Sequence, residues 1–567
     1  MLEQVLRIDM KSLAVSRQLL PEKYRYLAGR ALSAEYILDE VAGHVEPLGP
    51  NNKLFITCGL LAGTTVSSAN RLSIGAKSPL TGGIKESNAG GIAAMKMGRL
   101  GIRAIVVENL PHSEDWYVLF FNNDGASLRQ ANHLVGKLIS EKASLLYGEY
   151  GAKVGLILIG PAGEKRLLTA GIANNDPGGA PTRFSGRGGL GAVMGSKRIL
   201  AIVLDDAGCS LPTPAQPADF QAVVREFHQL LLSTPQTSEV FPKYGTAAMT
   251  ALTNAMGGLP TRNFSDGRFE GADKINGEAV YQTIVERGGE GNPTHACMPG
   301  CLIRCSNVYP DKDGKTLVTP LEYETISLMG SNLAVDDLDA IARANKLCND
   351  YGVDTIELGC AIGVAMEAGV AKFGDQDALV SLMEEVAADT WLGRILASGS
   401  VVTGKVLGNR RVPAVKGQGM PGYEPRGVKG TAVTYATSAM GADHTAGNVV
   451  RANVKHHMKD GQVPLSGNAQ VGVGMLDGIG FCMMVAPALK DREILAAIIN
   501  ALHGWTLTAQ DLNDMTRRFL RAELEFNRRA GFTAVHDRLP EHFYEEPNPA
   551  NGAVYDFTDD DLKELII

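Results

Sequence analysis

Residues 294–309 read THACMPGCLIRCSNVY, and their three cysteines, Cys297, Cys301 and Cys305, decide how the rest of the chain is read. A fourth cysteine, Cys482, lies in LDGIGFCMM at 476–484. A cubane iron cluster takes one thiolate on each iron, and three close ligands plus one distant ligand is a common way for a chain to supply them. The pattern therefore points to a [4Fe–4S] protein. Structural zinc, which also accepts four thiolates, is the rival for the same side chains. Cys58, Cys209, Cys348 and Cys360 are scattered and read as core or incidental residues.

The compartment implied by free thiolates is a reducing one. Eight cysteines in 567 residues are too sparse for a disulfide scaffold, and MLEQVLRIDMKSL carries no charged start followed by an apolar core. A cytoplasmic location is expected. With 45% hydrophobic residues, 20% charged residues and a formal charge of −8, nothing calls for a nucleic-acid or membrane partner. No apolar run is long enough to span a bilayer.

Outward from the cysteines, the chain changes character twice. Before residue 207, short apolar runs (KLFITCG, AIVVENL, WYVLFFNN, VGLILIG, ILAIVL) alternate with glycine-rich turns and predict a sheet-rich domain over 1–207. CSLPTPAQPADF then reads as a linker with a helix starting at Pro217–Asp219. Apolar spacing of three and four in ADFQAVVREFHQLLLS, DDLDAIARANKLCNDYG, TIELGCAIGVAMEAG and DALVSLMEEVA makes 208–408 helical. Periodicity fades across residues 397–427, and 409–567 mixes glycine-rich loops with helices such as REILAAIINALHG. The fold class is α+β, a sheet-rich first domain followed by two mainly helical ones.

Two short segments repeat one another. Asn349-Asp-Tyr-Gly352-Val353-Asp354 and Asp477-Gly-Ile-Gly480-Phe481-Cys482 share a polar residue, a glycine three positions on, an apolar residue, and a side chain able to bind metal or accept a hydrogen bond. The plain reading of the first is a helix junction: Gly352 ends one helix, Asp354 caps the next and Glu357 completes a capping box. The repeat also suggests a ligand lodged between the two turns. Two glycine loops, Ser87-Asn88-Ala89-Gly90-Gly91 and Ser185-Gly186-Arg187-Gly188-Gly189, let backbone N–H groups approach an anion, with Arg71 and Arg187 available as planar forks. Neither loop has the spacing of a dinucleotide or P-loop site.

Seven ordered stretches now identify a family. SPLTGGIKESNAGG (78–91), IGPAGE (159–164), RGGLGAVMGSK (187–197), the cysteine cluster, LEYETISLMGSN (321–332), YATSAMGADH (435–444) and DGIGFC (477–482) together resemble the tungsten-containing aldehyde:ferredoxin oxidoreductases, from about residue 25 to about 490. The resemblance implies paired β-sheets as a base for a tungsten bis-pyranopterin (tungstopterin) cofactor, two helical domains above it, and a [4Fe–4S] cluster beside one pterin. It assigns the cluster to Cys297, Cys301, Cys305 and Cys482. The family's first spacing is C-x2-C, whereas this chain has one residue more between Cys297 and Cys301.

By the same resemblance the pterins contact Arg71, Asn88, Ala89, Gly90, Gly91, Arg187 and Gly188, with carbonyls of Asn88 and Gly188 on a Mg2+ that links the pterin phosphates. The paired turns supply Asn349, Gly352, Val353 and Asp354, then Asp477, Gly480 and Phe481. Asn349 stands where the family has aspartate. Catalysis is implied for His444 and for a glutamate in Glu322-Tyr323-Glu324, with Glu324 preferred. The implied reaction oxidises a small aldehyde to its acid, with electrons leaving to ferredoxin or an iron–sulfur subunit. Alternatives are a tungsten reductase subunit of a low-potential complex acting on aromatic thioesters, and a non-catalytic iron–sulfur protein. Tungsten against molybdenum, and a homodimer against other assemblies, stay open.

Overall fold

The computed structural model describes residues 4–565 and residue 567; the first three residues of the quoted amino terminus lie outside them. The first domain contains twelve strands: β1 (Gln4–Asp9), β2 (Ala14–Leu19), β3 (Leu54–Cys58), β4 (Leu72–Lys77), β5 (Ile84–Ala89), β6 (Ile102–Glu108), β7 (Tyr117–Phe121), β8 (Ala126–Gln130), β9 (Gly155–Leu158), β10 (Ile172–Asn174), β11 (Arg183–Ser185) and β12 (Ile199–Leu204). They form two six-stranded sheets, β2-β1-β6-β3-β4-β5 and β11-β10-β9-β12-β7-β8. Reversed, the second order is the first with six added to every label. The parallel pairs match as well, β1 with β6 and β7 with β12. The domain is thus one supersecondary unit used twice.

Alternation along the strands explains how the sheets pack. Leu54, Ile56 and Cys58 point into a core shared with Leu156, Leu158, Ile202 and Leu204 of the second sheet, while Phe55 points the other way. Residues of one strand face opposite sides in turn, so a buried sheet needs apolar residues at every position. On its outer face the first sheet carries α1 (Gly29–Glu40), and the long helix Ala509–Arg529 covers it through Phe519, Leu520 and Phe526. No helix among the described residues is long and apolar enough to cross a membrane.

The expected helices form at Pro217–Ser233, Leu338–Tyr351, Thr355–Glu367, Gln376–Ala387, Glu493–His503 and Ala509–Arg529. A helix at Ser400–Leu407 falls inside the stretch read as aperiodic; two turns are too few for a 3.6-residue period to show. One capping expectation fails. Gly352 ends its helix at φ +85° and Asp354 accepts from the N–H of Ile356, but Glu357 makes no capping box. Its carboxylate instead accepts from the Ser400 N–H and hydroxyl at 2.9 and 2.7 Å and from the Gly419 N–H at 2.6 Å. Three donors outbid one cap.

The two repeat turns dock on the two half-domains in the same manner. Arg71 N–H donates to Gly480 O and Cys482 N–H to Ser68 O, while Gly171 N–H donates to Gly352 O and Asp354 N–H to Thr169 O. Each turn glycine lies against a glycine at the end of a central strand, Gly480 on Gly59 and Gly352 on Gly160.

Candidate functional site

Between the two sheets and the helical part lies a cleft of about 1160 Å³ including its mouth. Its walls bring together Arg71, Asn88, Ala89 and Gly90 from the first half, Arg187 from the second, and Asn349, Val353 and Asp354 from the first repeat turn. Cys297, Glu322, Glu324 and His444 share the same space. Most of the residues singled out from sequence are therefore neighbours. Phe481 is an exception, since its ring packs edge-on against Phe227 at 5.6 Å in the helical core.

At one end of the cleft Glu324 sits in the first turn of the helix Tyr323–Met329 and accepts from the Gly422 N–H at 2.7 Å through Oε2. Its Oε1 has no hydrogen-bond partner and stands 3.5 Å from His444 Nε2. Burial pushes the Glu324 carboxyl above the usual carboxylate range, against the pull of His444. Glu322 is 42% exposed and faces Arg183 at 4.0 Å. His444 Nδ1 is buried without a hydrogen bond and lies 3.9 Å from Asp443 Oδ1. Tyr423 closes the side, its ring centroid 5.8 Å from that of His444.

Asp443 anchors this end. It caps the short turn at His444–Ala446 and pairs with the buried ammonium of Lys85 on β5. Burial alone raises a carboxyl, but Lys85 and Arg187 outweigh it and hold Asp443 well below the ordinary range. Arg187 donates to Asp354 at 3.2 Å, to the Ala442 carbonyl at 2.7 Å and to the Gly419 carbonyl at 2.6 Å. It braces the wall, leaving only its remaining Nη hydrogens for a phosphate. Sequence reasoning gave Lys85 and Asp443 no role, although both stand inside the motifs quoted above.

At the other end, Ser67 and Ser68 organise the cysteines. Ser68 O accepts from Cys482 N–H at 2.8 Å, its hydroxyl lies 3.6 Å from Cys301 Sγ, and Ser67 Oγ accepts from Leu302 N–H at 3.0 Å. A Cβ at Gly90 would meet Cys297 Sγ at 2.9 Å, so the glycine lets the cysteine loop lie close against this strand end. Burial raises all four thiols, Cys297 to about 11, and each feels the charge of at least one other. Among the described residues no three His, Cys, Asp or Glu side chains close on a single ion. Between the ends, Arg71 donates to Asn88 Oδ1 at 2.7 Å and Asn88 Nδ2 to Asp477 at 3.2 Å. Burial and then Glu86 push Asp477 up to about 8, against Arg30 and Arg71.

The cleft suits a large polar, anionic group. Arg183 Nε and Nη2 and the hydroxyls of Thr182 and Ser185 are buried donors without partners in or beside it, and native proteins rarely leave such atoms idle. At Gly186 a Cβ would find nothing nearer than 3.8 Å, so the loop leaves room beside the backbone. The carbonyls of Asn88 and Gly188 accept from Arg71 and Ser78 at 3.1 and 2.8 Å and each keeps a second lone pair.

Residues 5–206 match the family model "Aldehyde ferredoxin oxidoreductase, N-terminal domain", and residues 222–566 match "domains 2 & 3" of the same family. The chain belongs to the aldehyde ferredoxin oxidoreductase family. It is 32% identical over 557 residues to the tungsten-containing aldehyde ferredoxin oxidoreductase of Thermococcus kodakarensis, covering 93% of this chain and 88% of that protein. Identity to the "Aliphatic sulfonate oxidoreductase, WOR-like subunit" of Pyrococcus furiosus is 25%, over 78% of this chain and 73% of the relative. The active-site complex BamBC of benzoyl-coenzyme A reductase, solved with 1,5-dienoyl-CoA, superposes with a TM-score of 0.81 at 19% identity, over 99% of this chain and 93% of that one. That likeness is one of fold. As a member of this oxidoreductase family, the chain carries the paired-sheet base and helical cover that its sequence predicts.

Proposed function

We propose that this aldehyde ferredoxin oxidoreductase family member oxidises an aldehyde to a carboxylic acid and passes the electrons to ferredoxin or an iron–sulfur subunit. The observation that carries the reading is the Glu324–His444 pair, 3.5 Å apart in the same cleft as Arg71, Asn88 and Arg187. Arg71, Asn88, the glycines after it, Arg187, Asp354 and Asp477 would hold a tungsten bis-pyranopterin, and the Asn88 and Gly188 carbonyls offer hard oxygen ligands to Mg2+. When bound, that cofactor supplies the two-electron acceptor, and a cubane on Cys297, Cys301, Cys305 and Cys482 supplies a one-electron carrier. Zinc on the same thiolates would leave the other six family motifs unexplained, which favours the cubane.

The balance is aldehyde plus water to acid, two electrons and two protons. His444 is placed to donate through Nε2 to the carbonyl oxygen. Glu324, with Oε1 free, is placed to accept the proton released as the C–O bond forms, a task suited to a carboxylate that burial raises above its ordinary range. Tyr423 and the buried walls limit water around the pair. The fold shared with the BamBC complex supports a second reading, reduction of an acyl thioester within a larger assembly.

One experiment separates them. Protein purified without oxygen is analysed for tungsten, molybdenum, iron and zinc, then assayed with aldehydes and a viologen acceptor. About one tungsten and about four irons per chain with aldehyde turnover supports the proposal; the same metals with no aldehyde turnover moves it to the reductase reading. Zinc alone ends both.

A further inference from the structure

Arg183 has no part in the scheme above, yet its bonding is unfinished. It is 5% exposed on β11, and neither its Nε nor its Nη2 has a hydrogen-bond partner. A buried guanidinium is kept only where its fork is answered, so two idle nitrogens mark an acceptor that the polypeptide itself does not provide.

The bonds it does make say where that acceptor lies. Nη1 donates to Ser306 Oγ at 2.8 Å, and Ser306 directly follows Cys305. Nη2 stands 3.7 Å from Asp176 Oδ2, and the same carboxylate oxygen meets His295 Nε2 at 2.8 Å, two residues before Cys297. Arg183 therefore holds the Cys305 end of the loop directly and faces, across Asp176, the His295 that leads into its Cys297 end. Asp176 does not answer the fork, because its other oxygen is taken by the Gly178 and Ala180 N–H groups and 3.7 Å is beyond a hydrogen bond. Glu322, at 4.0 Å and 42% exposed, does not answer it either. Inside the cleft Arg183 shares its wall with Cys297 and Gly90.

The duplicated fold supplies an internal control. Ser87 pairs with Ile74 in the first sheet and Ser185 with Ile172 in the second, so Lys85 and Arg183, each two residues earlier, hold the same position. Lys85 reaches out of its sheet to the histidine loop and is closed onto Asp443. Arg183 reaches out of its sheet to the cysteine loop and is left with donors to spare. The same device thus serves both ends of the cleft, and only at the cysteine end is its acceptor absent from the chain.

We propose that Arg183 is a positioning residue for the iron–sulfur cluster, donating from Nε and Nη2 toward the sulfur side at Cys297 and so raising the cluster's reduction potential. The proposal rests on the reading that the four cysteines bind a cubane. One-electron reduction adds a negative charge to a partly buried cluster, and a fixed cation with N–H donors stabilises that reduced form more than the oxidised one.

The test is a dithionite titration, followed by EPR with mediators, of anaerobically purified wild type, Arg183→Gln, Arg183→Lys and Ser306→Ala. Arg183→Gln is expected to keep its iron while the equilibrium constant for one-electron reduction falls at least tenfold, about 59 mV for one electron. Arg183→Lys, which keeps the charge and loses the fork, should shift less, and Ser306→Ala should hold the wild-type potential. An unchanged potential in iron-replete Arg183→Gln overturns the proposal. Loss of iron from both Arg183 variants also overturns it, leaving a purely structural clasp. Absence of a cubane in the wild type, measured first, brings down the reading of the cysteines and this inference with it.

Discussion

The first half-domain (residues 4–108) and the second (117–204) repeat the same strand order, the same glycine loop and the same docking of a glycine turn, yet they face different neighbours. The first receives the turn that runs from Asp477 to Cys482 and surrounds it with Arg71, Arg30 and Glu86. The second receives the turn that ends in Asp354, which Arg187 ties to Glu357 in the first turn of the following helix and to the loop carrying Asp443. A duplicated scaffold thus gives two equivalent cradles; in the proposed function the Cys482 turn lies on the electron side and the Asp354 turn on the substrate side, with Lys85 and Arg183 each reaching across to the end served by the other half. That division is what substitutions can break.

The largest effect is expected at Cys482, where the first half would meet the proposed cluster. Cys482→Ser should lose cluster iron and, with it, electron delivery to any external acceptor, while the far-ultraviolet circular dichroism of the sheets stays that of wild type. Full iron content in this variant would remove the first half from the electron path. Next comes the substrate side: Glu324→Gln should keep tungsten and iron but lose about 10²–10⁴-fold in kcat. The sign of the pH dependence follows from the raised carboxyl. Wild type should lose activity as pH falls through the elevated Glu324 pKa, above the range of an ordinary carboxylate, because the base becomes protonated. A kcat profile measured with Glu324→Gln should lack that acid limb; an unchanged limb would shift the role to Glu322.

Much of this division was legible in the linear sequence and part of it was not. Runs such as ILAIVL and the 3.6-residue periods of the later helices report local burial, which a single segment carries by itself. The cysteines, the glycine loops and the paired turns were visible as composition. The duplication of the whole first domain escaped because its halves share geometry more than residues: Ser87-Asn88-Ala89-Gly90-Gly91 answers Ser185-Gly186-Arg187-Gly188-Gly189, and little else aligns by eye. Arg183, Lys85 and Asp443 were passed over for another reason. A charged residue in a strand or loop is read as solvated unless its partner is known, and the partners here lie 123 and 358 residues away. Glu357 was misassigned because a local cap was the nearest explanation and its real donors, Ser400 and Gly419, are distant in sequence.

Lys85→Met tests the substrate side without touching the expected ligands of the cluster. It leaves Asp443 buried with Arg187, 4.0 Å away, as its remaining cation, and breaking one side of a buried pair typically costs about 3–5 kcal/mol. Urea unfolding should show that loss, and kcat should fall with it because the loop bearing His444 is anchored through Asp443. An equal loss of cluster iron would mean the two ends are not separable.

The smallest effects sharpen the comparison most directly, because they come from the two glycines that hold equivalent places. Gly352 and Gly480 have nearly the same backbone, φ +85° and +86°, so replacing either by alanine incurs the same left-handed penalty of about 1–2 kcal/mol. Their surroundings differ. A Cβ at Gly480 would stand 2.3 Å from Gly59 Cα, which is backbone and cannot rotate away, whereas at Gly352 the nearest atom is the Gly160 nitrogen at 3.0 Å. Gly480→Ala should therefore be the more destabilising of the two in thermal unfolding, and it should lower iron content because Cys482 follows two residues later. Gly352→Ala should leave iron in place and weaken only cofactor retention on the substrate side. Equal losses from the two variants would show that the turns are interchangeable supports, and that the asymmetry between the halves resides wholly in the charged side chains around them.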